Sequence, residues 1–438
     1  MSSPLSGTRD ASGQRQKKSA LARLFFSFST TFVLLVVVGG LLAACGSSTS
    51  STSSANSKIT LTVLDYLNTE PANTLLNNLF SQYEKAHPNV TISRDSVPIG
   101  SVLSKASQEA ASHTLPDVLV IDNPDLDEFA ATGALTDLDQ YMTGSLSKSN
   151  FYAGSLSTME YNNKVYALST GNNDLALFYN KQMFTAAKLQ PPTTWAELEA
   201  DAKALTKGNT YGFALSAPAE EEASWQFEPF LWSNKGDITK INNAQGVQAL
   251  QFLTDMVQKG YISKASLNWG QGDVLTQFED GHAAMMENGP WNLSLLKTAN
   301  TDYGVVPIPV PQAGEQPVSP LGGEIWTIPQ TDTAHEQAAW NFLSWLEQPA
   351  QLTTYAQTQG YLPPQPGIAK TLVQTNPDLT VFTNELATAQ ARTAVVGTKY
   401  PSISQAIWTA EQAAFSGSLS PQAALDQAEQ SITKILQG

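Results

Sequence analysis

Residues 59–92 read ITLTVLDYLNTEPANTLLNNLFSQYEKAHPNVTI, and this stretch decides the fold class. Ile59, Leu61 and Val63 recur at every second position, which is typical of a β-strand. Residues 74–87 then carry apolar side chains at helical spacing, namely Leu75, Leu76, Leu79, Phe80 and Tyr83. Val90 and Ile92 begin a second strand. A strand, a helix and a strand in this order predict an α/β fold.

The same alternation of strand and helix patterns continues along the chain. PDVLVID (116–122) is typical of a buried strand that ends on a carboxylate. Thr194 and Glu197 have the spacing of a capping box, which marks the start of a helix. Helices are predicted near 101–112, near 125–133, from Thr194 to about Leu205, at 244–259, at 334–347 and after Ser420. The βαβαβα order predicts doubly wound sheets with flanking helices.

Length and charge limit the possible functions. The chain has 438 residues, 42% of them hydrophobic, which is enough for two domains with separate cores. Its 39 acidic and 24 basic residues give a formal net charge of −15, and such a surface repels the phosphates of nucleic acid. Acidity of this kind favours solubility in general and leaves a cationic ligand open.

The first 58 residues have the order of an export signal followed by a tether. Residues 1–24 are polar and basic, and an apolar run follows up to Ala44. This run is also long enough to cross a bilayer, so its length alone decides nothing. Leu42-Ala43-Ala44-Cys45 resembles the bacterial lipobox, which implies that residues 1–44 are a signal peptide and that Cys45 receives a diacylglycerol. Residues 45–58 are rich in Ser and Thr and are predicted to form a flexible tether.

Motifs that would identify an enzyme or a metal site are absent from the sequence. There is no HExxH, GxSxG or Walker A pattern, the four histidines are scattered, and Cys45 is the sole cysteine. We therefore expect no catalytic activity, no cofactor and no metal. Two acidic clusters, at 125–128 and 220–222, leave a glycoside hydrolase open, because such an enzyme needs only two suitably separated carboxylates.

Four stretches resemble the family-1 extracellular solute-binding proteins, a group that includes maltose-binding protein and many oligosaccharide binders. They are LALFYNKQMFTAAKLQPPTTWAELEADAKAL (175–205), FEDGHAAMMENGPW (278–291), PLGGEIWTIP (320–329) followed by AAWNFLSWL (338–346), and GYLP (360–363). Their order and spacing agree with the family over most of 59–415. The resemblance implies the solute-binding subunit of an ABC importer, with a carbohydrate as its ligand and the permease subunits as its partners. It also implies a monomer that the lipid on Cys45 holds at the outer face of the cell membrane.

The resemblance further implies two α/β lobes of the type II periplasmic-binding-protein fold, with the ligand in the cleft between them. Hinge closure would let both walls contact one ligand. The chain is expected to cross between the lobes near 170–175, 302–310 and 352–361. Lobe one would comprise 59–170 plus 308–355, and lobe two would comprise 175–302 plus 360–438.

A sugar site should combine aromatic rings with amide and carboxylate groups, because sugars present C–H faces for stacking and hydroxyls for hydrogen bonds. Such side chains lie near predicted strand ends, crossings and family motifs. The candidate ligand contacts are Tyr66, Asn68, Asp122, Asn123, Asn172, Asn173, Asp174, Trp225, Trp232, Trp269, Glu287, Trp291, Glu324, Trp326 and Tyr361. Four tryptophans on helical patterns are assigned to packing instead, namely Trp195, Trp340, Trp345 and Trp408.

A cationic ligand such as a polyamine is the main alternative within the same fold. Carboxylates and aromatic rings would enclose it through charge pairing and cation–π contact. The carboxylates available for this are Asp65, Asp122, Asp174, Glu287 and Glu324. A ferric-ion binder would need tyrosine pairs with a histidine, and the sequence shows no such group.

Overall fold

The computed structural model describes residues 58–438. The predicted signal peptide, Cys45 and the tether up to residue 57 lie outside the described residues. The strands are β1 Ile59–Asp65, β2 Val90–Ser96, β3 Val118–Asp122, β4 Glu160–Tyr161, β5 Lys164–Val165, β6 Ala167–Ser169, β7 Ala176–Asn180, β8 Met285–Asn288, β9 Tyr303–Val306, β10 Pro320–Leu321, β11 Glu324–Thr327 and β12 Gln390–Ala391.

The α-helices follow the strands in the alternation that the sequence predicts. They are α1 Ala72–Ala86, α2 Ile99–Ser112, α3 Leu126–Ala131, α4 Ala153–Ser157, α5 Lys181–Ala187, α6 Trp195–Leu205, α7 Glu221–Ser233, α8 Ala244–Gln258, α9 Gln271–Glu279, α10 Leu293–Thr298, α11 Thr333–Leu346, α12 Pro349–Gln359, α13 Pro366–Thr375, α14 Thr380–Glu385, α15 Tyr400–Ser416 and α16 Pro421–Gln437. The capping box is confirmed, since Thr194 accepts from the Glu197 amide and Glu197 accepts from the Thr194 amide.

The first sheet has five strands in the order β2-β1-β3-β11-β6. β1 runs parallel to β2 and β3, whereas β11 runs antiparallel to β3 and β6. Glu324, the first residue of β11, therefore pairs with Asp122, the last residue of β3. The ends of β1, β2 and β3 and the start of β11 share one edge of the sheet.

Helices cover both faces of this sheet, which confirms the predicted α/β class. Val118 and Val120 pack with α1 and α11 on one face, while Leu119 and Ile121 pack with α2 and α3 on the other. Alternate strand residues point to opposite faces, so a continuous apolar run such as VLVI is the expected sequence of a strand buried on both sides.

The second sheet is smaller, with three strands in the order β8-β7-β9 and antiparallel pairing throughout. It is also covered on both faces. Leu177 packs into a core with α6, α8 and α15, and Phe178 packs into another with α9 and α14. Each sheet thus has its own hydrophobic core.

The chain passes between the two sheets more than once. It leaves the first sheet after β6, returns to it after β9, and then runs into α12, whose Tyr355 and Ala356 belong to the cores of different sheets. The residue boundaries given above for the two lobes stay a prediction. Within 58–438, no helix is both long and apolar enough to span a bilayer.

Candidate functional site

A cavity of about 590 Å³ lies against the shared edge of the first sheet. One wall consists of residues that follow β1, β2 and β3 or that begin β11. The other wall consists of residues from α7, α9, α10 and the short helix Pro290–Asn292, together with Arg392 just after β12. The volume falls in the range of about 300–1,000 Å³ that small-molecule sites occupy.

Glu324 is a buried carboxyl at the first wall. Its side chain accepts a hydrogen bond of 2.9 Å from the Tyr355 hydroxyl, and its Oε2 has no hydrogen-bond partner among the described residues. Burial raises the pKa of Glu324 to about 7. Near neutral pH this group is therefore balanced between a carboxylate that accepts hydrogen bonds and a neutral carboxyl that also donates one.

Arg392 is a buried cation that joins the two walls. Its Nη2 donates to Asp122 Oδ1 and Oδ2 at 3.0 and 2.9 Å and to Asn123 Oδ1 at 3.2 Å. Its Nη1 donates to Glu221 on α7. Asp122 belongs to the first sheet and Glu221 to a helix of the second core, so one guanidinium fixes both sides of the cavity relative to each other.

Trp225 lies beneath this guanidinium. The Arg392 Cζ is 4.5 Å from the centroid of the Trp225 ring, which is a cation–π distance. Gly322 permits this arrangement, because a Cβ atom at residue 322 would overlap both the Trp225 ring and the Asn173 side chain. Close packing between the two walls thus explains Gly322, whereas Gly323 has a φ of +125° and a Cβ there would overlap the Gly171 carbonyl.

Trp291 and Tyr361 form an aromatic pair at the cavity, with ring centroids 6.4 Å apart in an edge-to-face arrangement. The glycine of the NGPW motif has a clear steric reason, since a Cβ at Gly289 would overlap the Trp291 ring. The half-buried Trp291 ring is held by its own turn and keeps a surface toward the cavity.

The sequence pattern of bacterial extracellular solute-binding proteins matches residues 78–381. The chain belongs to this family. A binding protein of Brucella abortus (strain 2308) is 27% identical over 393 residues, which cover 86% of this chain and 93% of that protein. The maltooligosaccharide ABC transporter solute-binding lipoprotein of Streptococcus pneumoniae serotype 4 is 26% identical over 247 residues, covering 52% of this chain and 55% of that protein.

A solved relative has the same fold. The crystal structure of the cyclic alpha-maltosyl-1,6-maltose binding protein from Arthrobacter globiformis superposes with a TM-score of 0.72 at 27% identity, covering 86% of this chain and 99% of the other. The two-lobed α/β architecture implied by the sequence motifs is thereby confirmed for this solute-binding protein.

The structure brings eight of the predicted contacts together at the cavity of this solute-binding protein. They are Tyr66, Asn68, Asp122, Asn173, Trp225, Trp291, Glu324 and Tyr361. Most of them follow strands of the first sheet or belong to the family motifs, so both kinds of reasoning located cavity residues.

Seven predicted contacts lie elsewhere, and local packing explains their placement. Trp326 is fully buried in the core of the first sheet, where its Nε1 donates to Thr170 Oγ1 at 3.1 Å. Trp232 and Trp269 are partly buried against the two cores of the second sheet. Because both faces of β8 are covered, Glu287 is fully buried rather than exposed in a turn.

The other three lie just behind the cavity wall at the first crossing and at the end of β3. Asn123 donates to the Leu321 carbonyl at 3.1 Å and accepts from Arg392. Asn172 accepts from the Ser155 hydroxyl at 2.5 Å. Asp174 is completely buried, and the nearby Glu385 adds to the rise that burial gives the Asp174 pKa. The polar groups of Asn123 and Asn172 are therefore used within the protein, whereas neither carboxyl oxygen of Asp174 has a hydrogen-bond partner among the described residues.

Several cavity residues were not predicted as ligand contacts. Arg392 is the most important of these, and Gln271, Asn292 and Gln359 are others. Glu221 and Glu222 were noticed only as an acidic cluster. Glu222 accepts from the Ser216 hydroxyl at 3.0 Å and from the Gln271 amide at 3.1 Å, so both glutamates are already held by protein donors.

Between residues 58 and 438, no three His, Cys, Asp or Glu side chains are grouped so that they could hold a metal ion.

Proposed function

We propose that this solute-binding protein captures a carbohydrate in the cavity between its two sheets and delivers it to an ABC permease. The supporting observation is the composition of the cavity. Trp225, Trp291 and Tyr361 offer ring faces or edges, while Asp122, Asn173 and Glu324 offer hydrogen-bonding groups. Ring faces suit the C–H surfaces of sugars, and amide and carboxyl oxygens suit their hydroxyls. The ligands named for the pneumococcal and Arthrobacter relatives agree with this class.

Closure of the two halves is the step that the permease would detect. A ligand that contacts both walls stabilises the closed form by its differential affinity for that form. The lobes would move about the crossings near 170–175, 302–310 and 352–361. Arg392 contributes to the closed form directly, since its partners Asp122 and Glu221 lie on opposite walls.

The N-terminal segment would place the protein outside the cell. We propose that residues 1–44 are removed, that Cys45 carries the lipid, and that residues 45–58 tether a monomeric body to the membrane. The relative from Streptococcus pneumoniae is named as a lipoprotein, which supports this arrangement. Two or more acyl chains hold a protein on a membrane stably, so the receptor would stay near its permease.

A polyamine or another cationic solute is the second candidate, and one observation favours it. Five carboxyl groups line the cavity against the single cation of Arg392, namely Glu70, Asp122, Glu221, Glu222 and Glu324. Affinity for a cation should fall markedly as salt is added, whereas affinity for an uncharged sugar should barely change.

A thermal-shift screen of residues 46–438 tests the proposal. The panel contains mono- and oligosaccharides, putrescine and spermidine. A ligand that binds only the folded protein raises Tm, and at 100 times its Kd it stabilises by about 2.7 kcal/mol. We expect a sugar to raise Tm and the polyamines to leave it unchanged. A shift with polyamines alone, or release of reducing ends from an oligosaccharide, would contradict the proposal.

A further inference from the structure

Tyr400 of α15 lies between two glutamates of α7. Its hydroxyl oxygen is 3.0 Å from Glu221 Oε1 and 2.9 Å from Glu228 Oε1. A phenol hydroxyl carries one hydrogen, so Tyr400 donates to one glutamate and its oxygen can only accept from the other. Since an ionised carboxylate has no hydrogen to donate, one of the two glutamates is protonated when both hydrogen bonds are made.

The surroundings of the two glutamates select Glu228 as the protonated one. Glu221 accepts from Arg392 Nη1, and a neighbouring cation favours the ionised form. Burial raises the pKa of Glu221, and Arg392 limits this rise to about 7. Glu228 is fully buried, and its Oε2 has no hydrogen-bond partner among the described residues. Glu228 therefore donates to Tyr400, and Tyr400 donates to Glu221.

The pKa of Glu228 depends on charges from both sides of the cavity. Burial raises this pKa well above its usual range, and the positive charge of Arg392 is the largest opposing influence. The charge of Glu221 raises the pKa, the hydrogen bond from Tyr400 lowers it, and the charge of Asp122 raises it further. Among these four groups, Asp122 is the one that belongs to the first sheet.

Arg392 packs on the same side of the cavity as Glu228. Its Cζ is 4.5 Å from the centroid of the Trp225 ring and 5.9 Å from that of the Tyr400 ring, and these rings belong to α7 and α15. Both helices pack in one core of the second sheet. We therefore expect Arg392 to stay with Glu228 when the two walls separate.

Closure of the cavity thus changes the charge around Glu228 in one direction. In an open form, Arg392 would lie near Glu221 and Glu228 without Asp122, and its positive charge would favour ionisation of Glu228. In the arrangement seen here, Asp122 accepts from Arg392 at 3.0 and 2.9 Å. Asp125 adds a second carboxyl from the side of Asp122, and the charges of Asp122 and Glu221 add to the rise that burial gives the Asp125 pKa. The proton on Glu228 is therefore held more tightly in the closed form.

We propose that ligand capture is coupled to the uptake of a proton from solvent by Glu228. This inference rests on the proposed function, since it requires a carbohydrate that closes the cavity. Glu228 does not line the cavity and is a positioning residue, because its proton lets Tyr400 hold Glu221 while Glu221 holds Arg392. The protonated form is favoured when the ligand is bound, so the affinity for the carbohydrate should fall as the pH rises.

Titration calorimetry at pH 8 in Hepes and in Tris tests this coupling, because the two buffers give up a proton with different enthalpies. The probes are glucose, galactose, xylose, maltose and maltotriose. For the sugar that binds, we expect uptake of a measurable fraction of a proton and a Kd at least about threefold weaker at pH 8 than at pH 6, since a full proton would give about tenfold per pH unit. Equal binding enthalpies in the two buffers, or release of a proton, would overturn the inference while leaving carbohydrate binding intact. Failure of every sugar to bind would contradict the proposed function and the inference together.

Three variants assign the proton to Glu228. Glu228→Gln keeps the shape and a donor toward Tyr400 but does not titrate, so the proton uptake and the pH dependence of Kd should both shrink. Tyr400→Phe removes the linking hydroxyl and should have the same effect, which gives a second test if one variant does not fold. Glu347→Gln is the matched control, because Glu347 is also buried with a raised pKa but follows α11 outside the cavity lining.

Glu347→Gln should keep the wild-type proton uptake. Glu221 and Glu324, whose pKa values are about 7, account for any uptake that remains in Glu228→Gln. Wild-type uptake in either Glu228→Gln or Tyr400→Phe, or an equal reduction in Glu347→Gln, would overturn the assignment of the proton to Glu228.

Discussion

Arg392 is buried and Arg94 largely so, and each guanidinium group holds an aspartate at the end of a strand in the same sheet. Arg94 binds Asp65 at the end of β1, with distances of 2.6 Å from Nε and 2.8 Å from Nη2. Its other partners are Asn73, Asn77, Ser96 and the Leu67 carbonyl, all near β1, β2 and α1. Arg392 instead bonds to Asp122 on one wall of the cavity and to Glu221 on the other.

The two arginines have different roles, since Arg94 stabilises the fold and Arg392 belongs to the binding cavity. All partners of Arg94 lie in or beside the first sheet, and Asp65 is fully buried. This ion pair therefore stabilises the first sheet. Arg392 faces a cavity, and its partners Asp122 and Glu221 retain 25% and 37% side-chain exposure. The same pair of chemical groups therefore serves the fold in one place and the site in the other.

The largest effect is expected for Arg94→Met. Removing this cation leaves the buried Asp65 carboxylate without a counter-charge, with the Leu67 amide and the Ser96 hydroxyl still donating to it, which costs about 3–5 kcal/mol in the free energy of unfolding. Urea denaturation measures the loss. Lys148→Met is the matched control, because its bridges to Asp139 and Glu160 are partly exposed and should contribute at most about 1 kcal/mol. Equal losses in the two variants would remove the distinction between Arg94 and a surface ion pair.

Arg392→Met should act mainly on binding. We expect the affinity for the carbohydrate found in the screen to fall about 30-fold or more, in line with about 2–5 kcal/mol for truncating a buried charge pair. The loss of stability should be smaller than in Arg94→Met, because water in the cavity reaches Asp122 and Glu221. Titration calorimetry and urea denaturation together measure the two effects.

Arg392→Lys refines this prediction. Lysine keeps the charge but lacks the planar fork and the stacking surface on Trp225, so its affinity should lie between those of the wild type and Arg392→Met. An Arg392→Met variant that binds as tightly as the wild type would show that the bridge between the walls has no role in capture.

Trp291→Ala should weaken carbohydrate binding about tenfold, because it removes a ring that lines the cavity. Trp408→Ala provides the control, since Trp408 packs partly buried against the core of the second sheet. Calorimetric titration should show a weaker Kd only for Trp291→Ala. An equal loss of affinity in both variants would point to general destabilisation rather than to contact with the ligand.

The smallest effect concerns Glu287, which is fully buried near Glu411. Burial raises the pKa of Glu287 well above its usual range, and Glu411 adds to this rise. Such a group stabilises the fold at pH values below its ordinary pKa, about 4.3, and this contribution is lost as the pH rises through the folded pKa. The free energy of unfolding should therefore be lower at pH 8 than at pH 5.

Glu287→Gln should reduce that difference only in part, because Glu347, Glu385 and Glu411 are also buried with raised pKa values. Urea denaturation at pH 5 and pH 8 measures this difference in the free energy of unfolding. Carbohydrate affinity should stay at the wild-type value, since Glu287 lies outside the cavity lining. A loss of affinity in Glu287→Gln would restore the original prediction that this residue contacts the ligand.

The spacing of apolar residues predicted most of the helices and strands but not the order of the strands within a sheet. The helix expected at 74–87 is α1 (Ala72–Ala86), and the strand at 116–122 is β3, because long apolar patterns and caps are local signals. The insertion of β11 between β3 and β6 is a pairing of residues about 150–200 positions apart. Local patterns carry no information on such pairing, and the two-lobed organisation came from the family resemblance.

Cavity residues were predicted only where a rule or motif pointed to them. Strand ends gave Tyr66 and Asp122, and the NGPW motif gave Trp291. Arg392 was missed because β12 is two residues long and has no periodic signal, so only its pairing with β10 brings it to the cavity. Trp326 was predicted to contact the ligand but lies in the core of the first sheet. The sequence shows that the Gly322-Gly323 pair before it allows a close approach, but it does not show which group approaches.

Titration calorimetry of residues 46–438 at low and high salt decides between an uncharged and a cationic ligand. We predict one carbohydrate bound per protein, with a Kd that is nearly independent of salt and is weakened in both Arg392→Met and Trp291→Ala. Binding of spermidine with a steep salt dependence, and no heat from any carbohydrate, would contradict it.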